Sequence, residues 1–455
     1  MKVAIIGAGP SAFYVASRLL SRFPNPTAAL RIHMFDRLWA PHGLVRYGVA
    51  PDHPEVKNCV HKFDTAADDP RLRFFGNVNV GEAQAIPHTV KLPLQDIFDQ
   101  YTHVVFATGC ALPTLHPTIP PSEYCIPALS LVHWYTQHPS RPPPPALERI
   151  SHVSLIGNGN VSMDIARMLL TPVSALEKYD VPASVLSVLS RSQVKHVSIF
   201  GRRGPLEAAF TTKELRELIN LPDSSMVPLA PSILVTSPAS TPTRQQSRIL
   251  QLLRQGSKNP FGTTSKTWSL DFFRSPTSLT PPINASSHAE LTLAHTTLDP
   301  THSRAISTSE TTKVSTSLVV TSLGFHAEPQ ASLRTDSSGR VISDSPPPGV
   351  SLYASGWAAT GAKGVLATTM MNAYNVADTL LSDWQSGITG DTYSNPEDLP
   401  LKVVEGLRTG IITEYTDWKR VDAEEVRRGT QVGKERERMG WEDAKAFLQR
   451  ADSRE

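Results

Sequence analysis

Gly7, Gly9 and Ala12 stand at the spacing G-x-G-x-x-A directly after the apolar run Val3-Ala4-Ile5-Ile6. That spacing builds a cradle for a pyrophosphate. The first glycine permits a tight turn, the second lets the backbone approach the phosphates, and the small third residue lets a helix pack on its strand. The phosphates would rest on helix-terminal N–H groups near Pro10 and Ser11. Pro10 has no N–H of its own but suits the start of a helix. Asp36 closes the next apolar strand, 24 positions after Ala12. A carboxylate there accepts both hydroxyls of a ribose and repels a 2′-phosphate, so this cradle suits FAD or NAD.

A second cradle follows 150 residues later. Gly157, Gly159 and Ser162 repeat the spacing after Val153-Ser154-Leu155-Ile156. The strand that follows it, His196 to Phe200, ends in Gly201-Arg202-Arg203-Gly204, where the first cradle has its acid. Two guanidinium groups there would grip a 2′-phosphate through forked, charge-assisted hydrogen bonds, which points to NADPH. The plainer reading of the pair is solvated charge. Phe210 to Leu218 reads as a helix with a threonine cap, and it carries Glu214. That acid either reaches the ribose or nicotinamide side of NADPH or lies on an exposed helix face. Two cradles in one chain suggest two dinucleotides meeting face to face, which is how a nicotinamide reduces a flavin.

The elements that must position these residues alternate as strand, helix, strand and imply parallel sheets. Residues 2–6 read as a buried strand, 10–22 as a helix with apolar Phe13, Ala16, Leu19 and Leu20, and 31–35 as the second strand. His103 to Gly109 reads as another strand ending in a turn. Four prolines, 142–145, form a stiff linker. The theme then restarts with a strand at 152–156, a helix at about 160–170 and a strand at 196–200. Residues 228–317 are dense in Ser, Thr and Pro and read as a loop-rich, partly disordered insertion with some strand content, a helix candidate at 248–255 and an apolar stretch at 268–273. Strands are expected again at 318–324 and 352–357, then a helix from about 364 to 384 and a charged, helix-prone tail at 419–450. The fold class is α/β: two Rossmann-like domains, the second inserted into the first. The FAD domain spans 1–107 and 320–455, and the NADPH domain spans 108–319.

Composition bounds the function. The 455 residues allow two or three domains at about 100–200 residues each. The 44 basic and 42 acidic residues leave a formal charge of +2, which argues against a nucleic-acid binder and leaves any electrostatic partner to a local patch. The three cysteines, Cys59, Cys110 and Cys125, form no C-x-x-C, which argues against a redox dithiol or a cysteine zinc site. A sparse, odd count fits a reducing compartment. No metal site is expected. No apolar run approaches the roughly 18 residues of a membrane span, and no Arg-rich amphipathic leader precedes the first strand.

Several runs give the chain a family resemblance. Leu44-Val45-Arg46-Tyr47-Gly48-Val49-Ala50-Pro51-Asp52-His53-Pro54-Glu55-Val56-Lys57-Asn58 resembles the loop after the FAD-ribose strand of adrenodoxin reductases, the mitochondrial-type NADPH–ferredoxin reductases. Gly201 to Leu206 and Phe210 to Leu218 are similar to their NADPH segment. Ser355-Gly356-Trp357 with Gly364 to Met370 is similar to their isoalloxazine loop, and Asp417-Trp418 with Val421 to Val426 to their tail. The resemblance runs from residue 2 to about 440 and is weakest across 228–317. It implies FAD contacts at Ser11, Ala12, Asp36, Leu44, Val80, Trp357, Gly364, Val365 and Leu366. It implies NADPH contacts at Asn158, Gly159, Asn160, Val161, Arg202, Arg203, Glu214 and Gly364. It also implies passage of single electrons to a small acidic [2Fe–2S] ferredoxin, and a place in the mitochondrial matrix.

Hydride transfer between the two rings needs little acid–base help; the protein stacks the rings and excludes water. Trp357 is expected against or beside the flavin, or as a packed core tryptophan. Gly364 to Leu366 would offer backbone N–H groups to the flavin pyrimidine. His53, held between prolines, would orient the nicotinamide or Glu214, or serve only the loop; it is not read as a proton donor. Ferredoxin docking would use Arg191, Lys195, Arg216 and the Arg202/Arg203 neighbourhood, with Lys213 weaker. The chain departs from the family in carrying Ala358-Ala359-Thr360 after the tryptophan, with Lys363 the nearest cation. Other twin-cradle readings are an NADPH-dependent disulfide reductase, a flavin monooxygenase and a non-catalytic flavin-binding subunit. The first lacks a C-x-x-C, the second lacks the specific loops, and the third has no need of Arg202 and Arg203.

Overall fold

The computed structural model describes residues 1–23, 30–82, 86, 88–235, 242–283, 288–299, 304–328, 333–387, 395 and 398–452. They form two compact units. The first holds Met1–Leu112, Thr136–Arg141 and Phe325–Glu455; the second holds Pro113–Tyr135 and Pro142–Gly324. The chain re-enters the second unit at the first of the four prolines.

The first unit is built on a five-stranded sheet in the order Ser351–Ala354, His103–Phe106, Lys2–Ile6, Arg31–Phe35, Leu72–Phe75. Every pairing is parallel. Along the Lys2–Ile6 strand, successive side chains feed opposite faces. Val3 and Ile5 join a core with Phe13 and Leu19 of the Pro10–Arg22 helix and Val376 and Leu380 of the Leu366–Gln385 helix. Ala4 and Ile6 join another with Phe75, Tyr101 and Val403. Burial on both faces is why these strands read as unbroken apolar runs rather than as alternation. Helices Tyr415–Gln431 and Trp441–Asp452 complete this unit.

The second unit is built on a six-stranded sheet in the order Ser224–Met226, Lys266–Phe272, His196–Gly201, His152–Ile156, Leu318–Thr321, Cys125–Pro127, again paired in parallel. Val153, Leu155, Val197, Ile199, Trp268 and Leu270 bury one face against helices that include Asn160–Leu170. On the other face, Ile156, Phe200 and Val319 meet Leu291 and Leu293.

Those two leucines belong to the segment expected to be loop-rich, and the structure differs there. Residues 244–255 form a helix opened by a Thr243/Gln246 capping box. Lys266–Phe272 joins the parallel sheet, and Arg274–Thr280, Ala289–Leu298 and Ala305–Thr316 form an antiparallel sheet. Residues 236–241, 284–287 and 300–303 of the segment lie outside the described residues. The composition misleads because threonine is a good strand former. In Ala289–Leu298 the apolar Leu291 and Leu293 are buried while Thr292 between them is not. Among the described residues no helix is long and apolar enough to cross a membrane.

Candidate functional site

The first cradle forms because Gly7 takes φ +106°, where a Cβ would lie 2.5 Å from the Ala107 carbonyl oxygen. No side chain can stand there. Gly9 is the N-cap of the Pro10–Arg22 helix, and a Cβ on it would meet nothing within 4 Å. This helix start has no side-chain cap and no acid in its first turn. An uncapped N-terminus facing open space is what an anionic pyrophosphate needs. Asp36 is 9% exposed, and its carboxylate accepts from the Ala8 N–H at 2.6 Å and the Leu38 N–H at 2.8 Å. It therefore shapes the cradle turn. Burial pushes its carboxyl up, and the Leu38 and Ala8 N–H groups hold it back down.

Gly7, Asp36 and Val80 line one cavity of about 300 Å³, together with Arg37, Glu328 and Gly109. Arg37 lies 2.5 Å from Glu328 as an ion pair, so the cation beside Asp36 is matched within the wall. Glu328 is the residue that sequence reasoning missed; it is remote in the chain, and no local pattern marks it. Leu44, 37% exposed, is not part of this cavity lining. Pro10, Ser11 and Ala12 lie in the first turn of the cradle helix and are buried.

Trp357 opens a short helix after the Ser351–Ala354 strand, half-buried, and its indole N–H donates to the Lys363 carbonyl at 3.2 Å. It therefore braces the loop that leads to Gly364, Val365 and Leu366 and is not a core tryptophan. Gly364 has φ +85°, and a Cβ there would collide with the Thr368 hydroxyl. That hydroxyl accepts from the Val365 N–H at 3.0 Å and so caps the Leu366–Gln385 helix. His53 is buried and clamped by its backbone, with its N–H on the Ala50 carbonyl at 3.0 Å.

The second cradle repeats the first. Gly157 has φ +115° and abuts the Ser322 carbonyl; Gly159 caps the Asn160–Leu170 helix and faces open space. That helix also lacks a side-chain cap and a first-turn acid. Asn160 Oδ1 accepts from the Thr211 N–H at 2.8 Å, so it holds the cap of the Thr212–Ile219 helix. Asn158 has a buried Nδ2 with no partner among the described residues, set against Gly201, where a Cβ would lie 2.7 Å from it. An orphaned buried donor in a glycine cradle fits a missing acceptor such as a phosphate oxygen. Val161 follows in the first helical turn.

Arg202 is exposed and Arg203 half-buried at the end of the His196–Gly201 strand. Neither guanidinium has a carboxylate partner among the described residues. Their backbone is held by the antiparallel sheet: Thr296 Oγ1 donates to the Arg202 carbonyl at 2.7 Å. Glu214 is not an exposed helix-face acid. Its side chain is 12% exposed and lies 3.5 Å from Arg167, which also meets Asp164 at 2.9 Å and Glu217 at 3.3 Å. The reason is helical spacing: Glu214 shares with Glu217 the face that turns toward the Asn160–Leu170 helix. Arg191, Lys195 and Arg216 are exposed, and Lys213 is paired with Glu217 at 3.9 Å.

Two parallel-sheet units, each with an uncapped glycine cradle, define a dinucleotide-binding oxidoreductase of the flavoprotein class. An FAD-NAD(P)-binding family matches residues 4–63. The chain is 34% identical to the mitochondrial NADPH:adrenodoxin oxidoreductase of Bos taurus over 96% of its length and 90% of that protein. It is 30% identical to the Arabidopsis thaliana protein of the same name, covering 97% of this chain and 94% of the other. Its fold matches Mycobacterium tuberculosis FprA in complex with NADPH at TM-score 0.83 and 29% identity, over 98% of both chains. The chain belongs to the NADPH:adrenodoxin oxidoreductase family.

Proposed function

We propose that this chain takes hydride from NADPH with FAD and passes electrons singly to a [2Fe–2S] ferredoxin. The observation that carries the reading is one contrast: two like cradles end their second strands in opposite charge, Asp36 in one and Arg202-Arg203 in the other. A buried carboxylate beside the matched Arg37–Glu328 pair favours an adenosine with free hydroxyls, as in FAD. Two unmatched guanidiniums favour a 2′-phosphate, as in NADPH. Bound flavin supplies the conversion of a two-electron hydride into single electrons.

The chain's own residues bind, orient and select. Gly7, Gly9 and the first turn Pro10-Ser11-Ala12 would seat the FAD pyrophosphate, with Asp36 on its ribose and Val80 on the cavity wall. Leu44, Trp357, Gly364, Val365 and Leu366 would bound the flavin end. Asn158, Gly159, Asn160 and Val161 would seat the NADPH phosphates. His53 and Glu214 would orient the nicotinamide without moving a proton. Arg191, Lys195 and Arg216 would draw in an acidic ferredoxin, a contact weakened by salt. The names of the relatives support a mitochondrial location, within which the matrix is our proposed compartment.

The test is spectral and kinetic. Purified protein should be yellow and bleach with NADPH far more readily than with NADH. Its reduction of cytochrome c should depend on added [2Fe–2S] ferredoxin. Equal rates with NADH, or no response to ferredoxin, would overturn the assignment.

A further inference from the structure

The helix Tyr415–Gln431 grips the loop that follows the first cradle, and its residues are not among those assigned above to a nucleotide. His42 and Gly43 stand in succession at φ +81° and +45°. The His42 N–H donates to the Ala8 carbonyl at 2.8 Å, and a Cβ on Gly43 would lie 3.1 Å from Gly9 Cα. Residues 42–43 therefore rest on the turn that would receive the FAD pyrophosphate. A histidine in the left-handed region is a strained conformation that its surroundings must hold.

Two anchors hold it. His42 Nε2 lies 3.0 Å from the Tyr415 hydroxyl, and that hydroxyl donates to Asp64 Oδ1 at 2.6 Å. The tyrosine has one proton, so His42 is the donor to it, and its Nε2–H tautomer is set. Four residues on, Arg46 makes a forked pair with Glu425 at 3.0 and 2.7 Å, its side chain 5% exposed and that of Glu425 0%. Trp418 of the same helix stacks on the Arg46 guanidinium, 4.6 Å from ring centre to Cζ. Glu425 in turn accepts from the Met439 N–H at 2.8 Å, and Arg438 donates to the Arg46 carbonyl at 2.7 Å. A planar fork fixes orientation as well as distance, and removing its carboxylate strands a buried cation.

We propose that Tyr415 and Glu425 are positioning residues for the flavin: they hold the 42–47 loop against the cradle and so slow FAD release. The proposal rests on the first cradle being the FAD site. It is tested on the FAD-loaded full chain by diluting it and following the rise of free-flavin fluorescence. Glu425→Gln should release FAD about 10-fold faster and Tyr415→Phe about 3-fold faster, the scale expected for losing one charged and one neutral hydrogen bond. Asp383→Asn is the comparator. It weakens the pair that the buried Asp383 makes with the partly exposed Arg340 (2.7 Å) in the same unit, without touching the loop. At a similar loss of melting temperature it should release FAD at the wild-type rate. Unchanged release in both loop variants would overturn the proposal, as would equal acceleration in Asp383→Asn. If Glu425→Gln does not fold, Tyr415→Phe decides alone, since it deletes only a hydroxyl. Wild-type protein that binds no FAD would refute the cofactor assignment instead, so the two failures are distinguishable.

Discussion

The hydroxyls of Ser11 and Ser355 lie 2.6 Å apart although 344 residues separate them in the chain. Ser11 stands in the first turn of the cradle helix, and Ser355 precedes the turn into Trp357. The next residue, Gly356, has φ +64°, and a Cβ there would lie 2.7 Å from Ser11. Asn372 pins the same turn by accepting from the Gly356 N–H at 2.7 Å. The start of the cradle helix and the tryptophan loop of the first unit are thus one packed joint.

Ser11→Ala and Ser355→Ala should each lower stability by about 1 kcal/mol, the net worth of a neutral hydrogen bond. Together they should cost less than the sum, by about 0.5–1 kcal/mol, because one bond is lost only once. Gly356→Ala should cost more than either, since it adds both strain and collision. Urea unfolding of the four proteins closes the cycle, and strict additivity would mean the two hydroxyls do not interact.

Arg202→Ala/Arg203→Ala should raise KM for NADPH by about 100-fold and leave KM for NADH within about 3-fold, since each charge-assisted bond is worth about 1.5–3 kcal/mol. Steady-state kinetics with both nucleotides reads the ratio. Retained NADPH selectivity would place the 2′-phosphate elsewhere.

Thr296→Val should weaken NADPH selectivity from a distance. The change is nearly isosteric and removes the hydroxyl that holds the Arg202 carbonyl at 2.7 Å. KM for NADPH should rise about 3- to 10-fold with kcat nearly constant, because binding shared equally by ground and transition states is loosened. A fall in kcat at constant KM would show that this sheet acts on something other than the arginines.

Legibility in the sequence followed the range of the forces. Gly7 and Gly157 were legible because a local backbone angle, +106° and +115°, admits no side chain whatever the rest of the chain does. The parallel strands were legible because burial on both faces leaves an apolar run. Arg46 and Glu425 were not, since 379 residues separate them and nothing local in either marks a buried ion. The exposed-face alternative for Glu214 failed for a related reason: its partner Arg167 comes from a different helix, Asn160–Leu170. The Ser/Thr-rich segment misled because a half-exposed sheet shows its polar residues in the composition and hides its leucines.

Acid should destabilise the fold before its carboxylates titrate. Burial holds His33 and His42 down to about 3, and holds His103 and His196 down to about 4. Secondary causes add to the first and the last two: Lys2 beside His33, the N-terminal amine beside His103, and His152 beside His196. In the unfolded chain each would take a proton near pH 6.5. Between pH 6.5 and about 4 the unfolded state therefore binds more protons than the folded one, and stability falls as pH falls. Fully developed, the slope is about 1.4 kcal/mol per pH unit for each histidine. Asp36 and Asp271, whose carboxyls burial pushes up, act in the opposite sense. Urea midpoints measured from pH 7.5 to pH 5 should be level above pH 7 and drop steeply below 6.5. His33→Gln keeps a polar partner for the Tyr101 hydroxyl, now 2.7 Å from His33 Nδ1, and removes one titrating ring. Its slope below pH 6.5 should be shallower by about one proton's worth, 1.4 kcal/mol per unit; a wild-type profile flat from pH 7 to pH 5 would mean these rings are protonated in the folded protein after all.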